Sequence, residues 1–166
     1  MATWPTITDD DGSNTTGTIA NNANIWNPIR DYIGTSWTDV TFASGNFTAN
    51  GSMTWTVASG DVTSYRWIEI GKTMIVNVYL STTSVTGSVD SELRIAVPNG
   101  RTIASTGQSF SSSGPATVVD NGVFRAGTWV AVPGVTYVSV RVAFTGTWTL
   151  STDNTYVAAT FIFPID

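Results

Sequence analysis

The chain contains no cysteine and no histidine. Without cysteine there is no disulfide framework, no zinc–thiolate cluster and no thiol nucleophile. Without histidine the commonest general base is gone, and with it the nucleophilic triads built on that base. Charge is scarce as well. Asp, Glu, Lys and Arg make up 11% of the 166 residues, less than half of the usual share of about a quarter. One lysine and six arginines stand singly along the sequence, and the net charge is −5. No basic stripe exists to neutralise phosphates, so nucleic acid is not an expected partner. The apolar runs fall far short of the roughly 18 residues that a membrane helix needs, so no membrane span is expected. The opening MATWPTITDDDG lacks a basic stretch followed by an apolar one, so a secretory signal is not expected either.

What is present is neutral and polar. Ser, Thr and Asn supply about a third of the residues, so hydroxyl and amide groups cover the surface in place of charges. Such a surface suits sugars or neighbouring copies of the same chain. The length fits one domain with a real core.

Residues 1–36 read as an arm and a helix. The first 16 residues are polar and carry Asp9, Asp10 and Asp11 in a row, without sustained periodicity. The spacing of Asp9 to Asn14 does not fit a calcium loop, so an acidic arm is expected there and no metal site. From Thr18 to Ile33, apolar residues recur at helical spacing: Ile19, Ala23, Trp26, Ile29 and Ile33. Thr18 suits the cap and Gly34 the stop, while Pro28 predicts a kink. This stripe either covers an open end of the β domain or packs against its own copies, and the two readings weigh about equally.

From residue 37 to residue 166 the period changes to two. Trp37–Phe42 and Met53–Val57 are short alternating runs. Ser64–Ile70, Gly71-Lys72 and Thr73–Ser81 read as a hairpin, with Met74, Val76, Val78 and Leu80 facing the core. Further strands are expected at Asp90–Val97, Ala116–Asp120, Val123–Arg125, Thr128–Val132, Tyr137–Phe144 and Thr155–Phe163, with a weaker run at Thr147–Leu150. Pro98-Asn99-Gly100, Asn121-Gly122 and Gly127 interrupt them. Thr102–Ser113 reads as a serine-rich loop or a poor edge strand. Eight to ten strands after one helix predict an all-β fold: a jelly-roll-like antiparallel sandwich of two sheets preceded by one short N-terminal helix.

Chemistry is hard to find in this pattern. Paired carboxylates are the one catalytic device left, since glycoside hydrolysis needs only two. The candidates Asp39, Asp61, Glu69, Asp90, Glu92, Asp120 and Asp153 mostly fall in turns or on solvated parities, where Asp and Glu bond the backbone or water. No catalytic residue and no cofactor is expected, and the chain does not read as an enzyme. Seven tryptophans are many for this length. For Trp55 and Trp148, flanked by threonines, a core role outweighs a sugar-stacking one. Tyr65, Trp67 and Glu69 share one strand parity and form the candidate ligand-binding face, for a glycan or another subunit. The polar loops 81–89 and 106–114 are further contact candidates.

The order of features resembles a family of small structural proteins of tailed bacteriophages and their metagenomic relatives. The resemblance runs through Thr8-Asp9-Asp10-Asp11-Gly12 and Thr16-Gly17-Thr18, then residues 46–57 (NFTANGSMTWTV). It continues in Tyr65 with residues 70–74 (IGKTM) and ends in residues 93–100 (LRIAVPNG). It covers roughly the first hundred residues, and the remainder matches only as further strands. It implies a virion appendage (a tail-fibre tip, receptor-binding protein or head fibre), usually trimeric. In such proteins an N-terminal segment attaches to other virion proteins and a β domain faces outward towards a host-surface glycan or protein. It transfers no catalytic or binding residues. The expectation is therefore a homotrimer made in the host cytoplasm and released by lysis, with Ile19, Ala23, Trp26, Ile29 and Ile33 serving attachment or oligomerisation. A capsid decoration protein without host binding and a cellular carbohydrate-binding module are the alternatives.

Overall fold

A computed structural model of the chain describes residues 37–105, 111–143 and 146–166. The expected helix, its stripe and the acidic arm lie outside these residues, as does most of the loop 106–114. The described part is antiparallel β throughout. Its strands are β1 (Thr38–Asp39), β2 (Phe47–Ala49), β3 (Met53–Thr56), β4 (Val62–Ile70), β5 (Thr73–Gly87), β6 (Leu93–Ala96), β7 (Ser112–Asp120), β8 (Val123–Ala131), β9 (Tyr137–Val142) and β10 (Ser151–Pro164). Three short 3-10 turns at Ser44–Asn46, Ser59–Asp61 and Pro98–Gly100 join them.

Hydrogen bonding links all ten strands into a single sheet in the order β1-β4-β5-β10-β7-β8-β9-β6-β2, with β3 paired to the far half of β5. The all-β antiparallel expectation holds. The pairing draws one continuous curled sheet, a half-barrel, and not two separate sheets as expected. The reason lies in β5 and β10, which are 15 and 14 residues long. Their mutual register slips between Ser151 and Thr155 and again between Thr155 and Val157. Thr82 (φ 55°) and Asp153 (φ 50°) take left-handed conformations on the two strands there. Such bulges bend a strand pair and raise its twist. The first half of β5 therefore pairs with β4 and the second half with β3, and one sheet turns a corner.

Local chemistry explains the hairpins. Gly71 at φ 60° opens the two-residue turn between β4 and β5, where an L side chain would be strained. Asn121 and Gly122, at φ 48° and 80°, make the turn between β7 and β8, the pair of positive φ values that Asn-Gly favours. Gly127 does not interrupt β8 as expected. The strand runs straight through it, and the close packing there needs glycine, since a Cβ would lie 2.7 Å from Val118 Cγ1. Thr147–Leu150 forms no strand; instead Trp148 is buried completely, its backbone N–H bonded to the Asp90 carbonyl at 2.9 Å.

The inner face of the curl holds the core. Met74, Val76, Val78 and Leu80 are at most 1% exposed, as the alternation requires, and Trp55, Trp129 and Trp148 are buried with them. Phe47 meets Trp55 edge-on with centroids 5.7 Å apart and packs on Tyr65 at 5.6 Å. A polar relay runs through this core. Trp55 Nε1 donates to Thr83 Oγ1 (2.9 Å), which donates to the Thr155 carbonyl (2.9 Å), while the Ser151 and Thr155 hydroxyls bond each other at 2.6 Å. Burying these groups costs little because each has a partner. The sheet edges β1 and β2 are two and three residues long, a length that leaves little free backbone to recruit another strand.

Candidate functional site

The expected binding face of Tyr65, Trp67 and Glu69 does not form. Tyr65 is 4% exposed and lies in the core, where burial pushes its phenol up and its hydroxyl donates to the Ala96 carbonyl. Trp67 is half-buried against the same core. Glu69 is taken up by Arg101, with the Nη2–Oε1 contact at 2.7 Å. The shared parity of the three residues is real, but it is the inner parity. Tyr65 opposes Val78, Trp67 opposes Val76 and Glu69 opposes Met74. A two-residue hairpin turn fixes that register, so the core parity already legible in β5 dictated the burial of Tyr65 and Trp67.

Most of the other candidate carboxylates have structural partners. Asp61 accepts from the Ala58 N–H and the Thr82 hydroxyl. Asp120 is buried and accepts from the Thr149 N–H and hydroxyl, both at 2.8 Å. Asp153 accepts from Ser84. Glu92 is the centre of a larger clamp. It binds Arg94, Arg141 and Ser139, so that β6 and β9 are tied on one face. Arg94 also donates to Asn50 and stacks over Tyr137 at 4.6 Å. Burial acts to raise the Glu92 carboxyl, but the hydrogen bond and charge of Arg141, with help from Arg94 and Ser139, outweigh it and hold it below its ordinary value. Asp90 is lowered mainly by the Asn50 amide and then by the Ser91 N–H.

Several groups without a side-chain partner among the described residues lie on the outer face of the sheet. Tyr79 on β5 opposes Ala158 on β10, which opposes Thr117 on β7. In the neighbouring row Tyr156 on β10 opposes Val119 on β7, which opposes Phe124 on β8. Two adjacent rows thus place three rings around a floor of small side chains. Phe124 is 79% exposed and Tyr79 43% exposed, unusual for rings of this size on a sheet with a large core to fill. Together with Gly122 and Asn154 these residues line a groove of about 470 Å³, and none of them is charged. Gly122 closes one end. A Cβ there would meet the Asn154 amide at 2.8 Å, and the Gly122 N–H bonds the Asn154 carbonyl. Asn77, on the same face, spends its amide on Ser64 and Thr160. By contrast, neither the Asn154 amide nor the Tyr79, Tyr156 and Thr117 hydroxyls hydrogen-bond another side chain among the described residues. The groove therefore offers apolar ring faces and unspent donors and acceptors together, the combination that lets a small polar ligand be both packed and oriented.

Below it on the same face, Ile68, Ile75 and Ile162 form a cross-strand row, with Ile162 52% exposed. Among the described residues no helix is long and apolar enough to cross a membrane. No protein family, curated protein or solved structure matches the chain.

The alternation of Met74, Val76, Val78 and Leu80 leaves Tyr79 on the opposite parity of β5, but the sequence does not assemble the groove. Its walls come from β5, β7, β8 and β10, whose pairing is not written in any local pattern. The usable signal was the Asn121-Gly122 turn, which sets Phe124 opposite Val119 and leaves an aromatic ring just past a tight hairpin.

Proposed function

We propose that the chain is a non-catalytic virion protein of a tailed bacteriophage: a homotrimeric appendage of tail-fibre or receptor-binding type whose curled all-β domain recognises the host surface. Residues 1–36, with Ile19, Ala23, Trp26, Ile29 and Ile33, serve attachment to other virion proteins and trimer formation. The protein is made in the host cytoplasm and leaves by lysis.

The observation that carries this reading is the uncharged aromatic groove on the solvent face, held open by a rigid sheet while every carboxylate named in the clamp and turns is committed to structure. A recognition head needs a fixed, water-facing site. The row of half-buried Ile68 and Ile75 with exposed Ile162 supports assembly with a protein neighbour, and it equally favours the second reading, a capsid decoration protein that clamps the shell and binds no host. The short edges β1 and β2 lend no support to a trimer, since they need no covering.

Mass spectrometry of purified particles tests the reading, together with light scattering of the full chain. The chain is expected among the virion proteins, with a solution mass three times the 17.6 kDa of one copy. Its absence from particles, or a monomer in solution, removes the appendage reading. Deleting the gene separates the two virion roles: lost adsorption marks a receptor-binding appendage, and lost particle stability marks a decoration protein.

A further inference from the structure

We infer that the groove lined by Tyr79, Thr117, Phe124, Asn154 and Tyr156 is a binding site for a neutral pyranose sugar. This inference rests on the reading of the β domain as a recognition head and names its ligand.

The argument is one of matching chemistry. A pyranose ring has faces of C–H bonds and a rim of hydroxyls. The C–H faces pack on aromatic rings, and the hydroxyls need partners that both donate and accept. Phe124 supplies an exposed ring without a polar atom, and Tyr79 and Tyr156 supply rings that end in hydroxyls at the groove wall. The Asn154 amide, one donor group and one acceptor, is the side chain best suited to a pair of neighbouring sugar hydroxyls. Ala158 and Thr117 keep the floor low enough for a ring to sit between the aromatics. A volume of about 470 Å³ lies within the range of small-molecule sites and holds one or two sugar rings.

Charge decides the class of sugar. No residue lining the groove is charged, and the chain is acidic overall. A sialic or uronic acid would bring a carboxylate to a site with no cation to pair it, so anionic sugars are disfavoured. An apolar peptide would leave the Asn154 amide and three hydroxyls without partners. A site this open binds weakly per copy, and a trimer would multiply a weak contact into useful avidity.

The test is an array of immobilised neutral and anionic oligosaccharides probed with the full-length protein, followed by titration of the best neutral hit. Retention on neutral glycans is expected, with Phe124→Ala weakening the affinity roughly tenfold, which is about 1.4 kcal/mol. Asn154→Ala should weaken it similarly, and Ile70→Ser, exposed and outside the groove, should leave it unchanged. Phe124 is exposed, so its variant is expected to fold, and a far-UV spectrum like that of the parent verifies this. An array that is blank, or bound only through anionic glycans, overturns the inference. So does glycan binding indifferent to Phe124 and Asn154, or a Phe124→Ala variant whose only change is a lower solution mass, which would make the groove a subunit contact. If cells are bound through Phe124 while the array stays blank, the recognition head stands and the sugar fails. If the groove binds sugars and the chain is absent from particles, the sugar site stands and the virion reading fails.

Discussion

The Tyr65 hydroxyl donates to the backbone carbonyl of Ala96, joining β4 near one end of the sheet path to β6 near the other. The two strands are six places apart in the hydrogen-bonded order, so this single bond spans the mouth of the curl. Phe47 packs beside it, on Tyr65 and Trp55 together. Removing the hydroxyl in Tyr65→Phe keeps the ring and strands the Ala96 carbonyl. A loss of about 1–3 kcal/mol is expected, read as a lower midpoint in urea with an unchanged slope. An unaltered midpoint would mean that the curl closes by packing alone.

A buried relay of Trp55, Thr83 and Thr155 lies beside the corner of the sheet. Thr83→Val keeps the shape but leaves Trp55 Nε1 without its acceptor and the Thr155 carbonyl without its side-chain donor. A destabilisation of about 1–3 kcal/mol follows from two buried groups losing a partner. Thermal unfolding monitored by tryptophan fluorescence measures it, and a variant as stable as the parent would show that the relay is dispensable.

Acid should unfold the domain through its clamp. Glu92 and Asp90 both titrate below their ordinary values. A carboxyl lowered by folding stabilises the native state above its unfolded pKa, and that contribution is lost as pH falls through the lower native value. The melting temperature is therefore expected to hold near neutrality and to fall below about pH 5. Glu92→Gln should lower the neutral plateau, because Arg94 and Arg141 lose their anion, and should flatten part of the acid decline. An acid decline as steep in the variant as in the parent would assign acid sensitivity to other groups.

These relationships show how far the sequence could be read. The β4–β5 hairpin was legible because Gly71-Lys72 separates two extended runs, and the clean alternation of Met74 through Leu80 declared the core side. Trp55 and Trp148 were legible as core. The fate of Tyr65 was in principle legible too, since the hairpin register ties it to Val78; its parity was misread because Tyr, Trp and Glu alternate with Arg and Ile, a pattern with no clear apolar side. The curl was not legible, because it rests on left-handed backbone at Asp153 and at Thr82, a β-branched residue that normally avoids that region. The Glu92 clamp and the outer groove were hidden for a different reason. Each gathers residues from strands far apart in sequence, and only long-range pairing brings them onto one face.

The central claim, that the β domain recognises a cell surface through its outer groove, is tested most directly by retention of the full-length protein on bacterial cell envelopes. Labelled parent protein and Phe124→Ser would be titrated against envelopes from a panel of bacteria. Saturable retention of the parent on at least one envelope is predicted, falling at least tenfold for the variant, with competition by unlabelled parent. Retention equal for parent and variant, or no saturable retention on any envelope, would contradict the account.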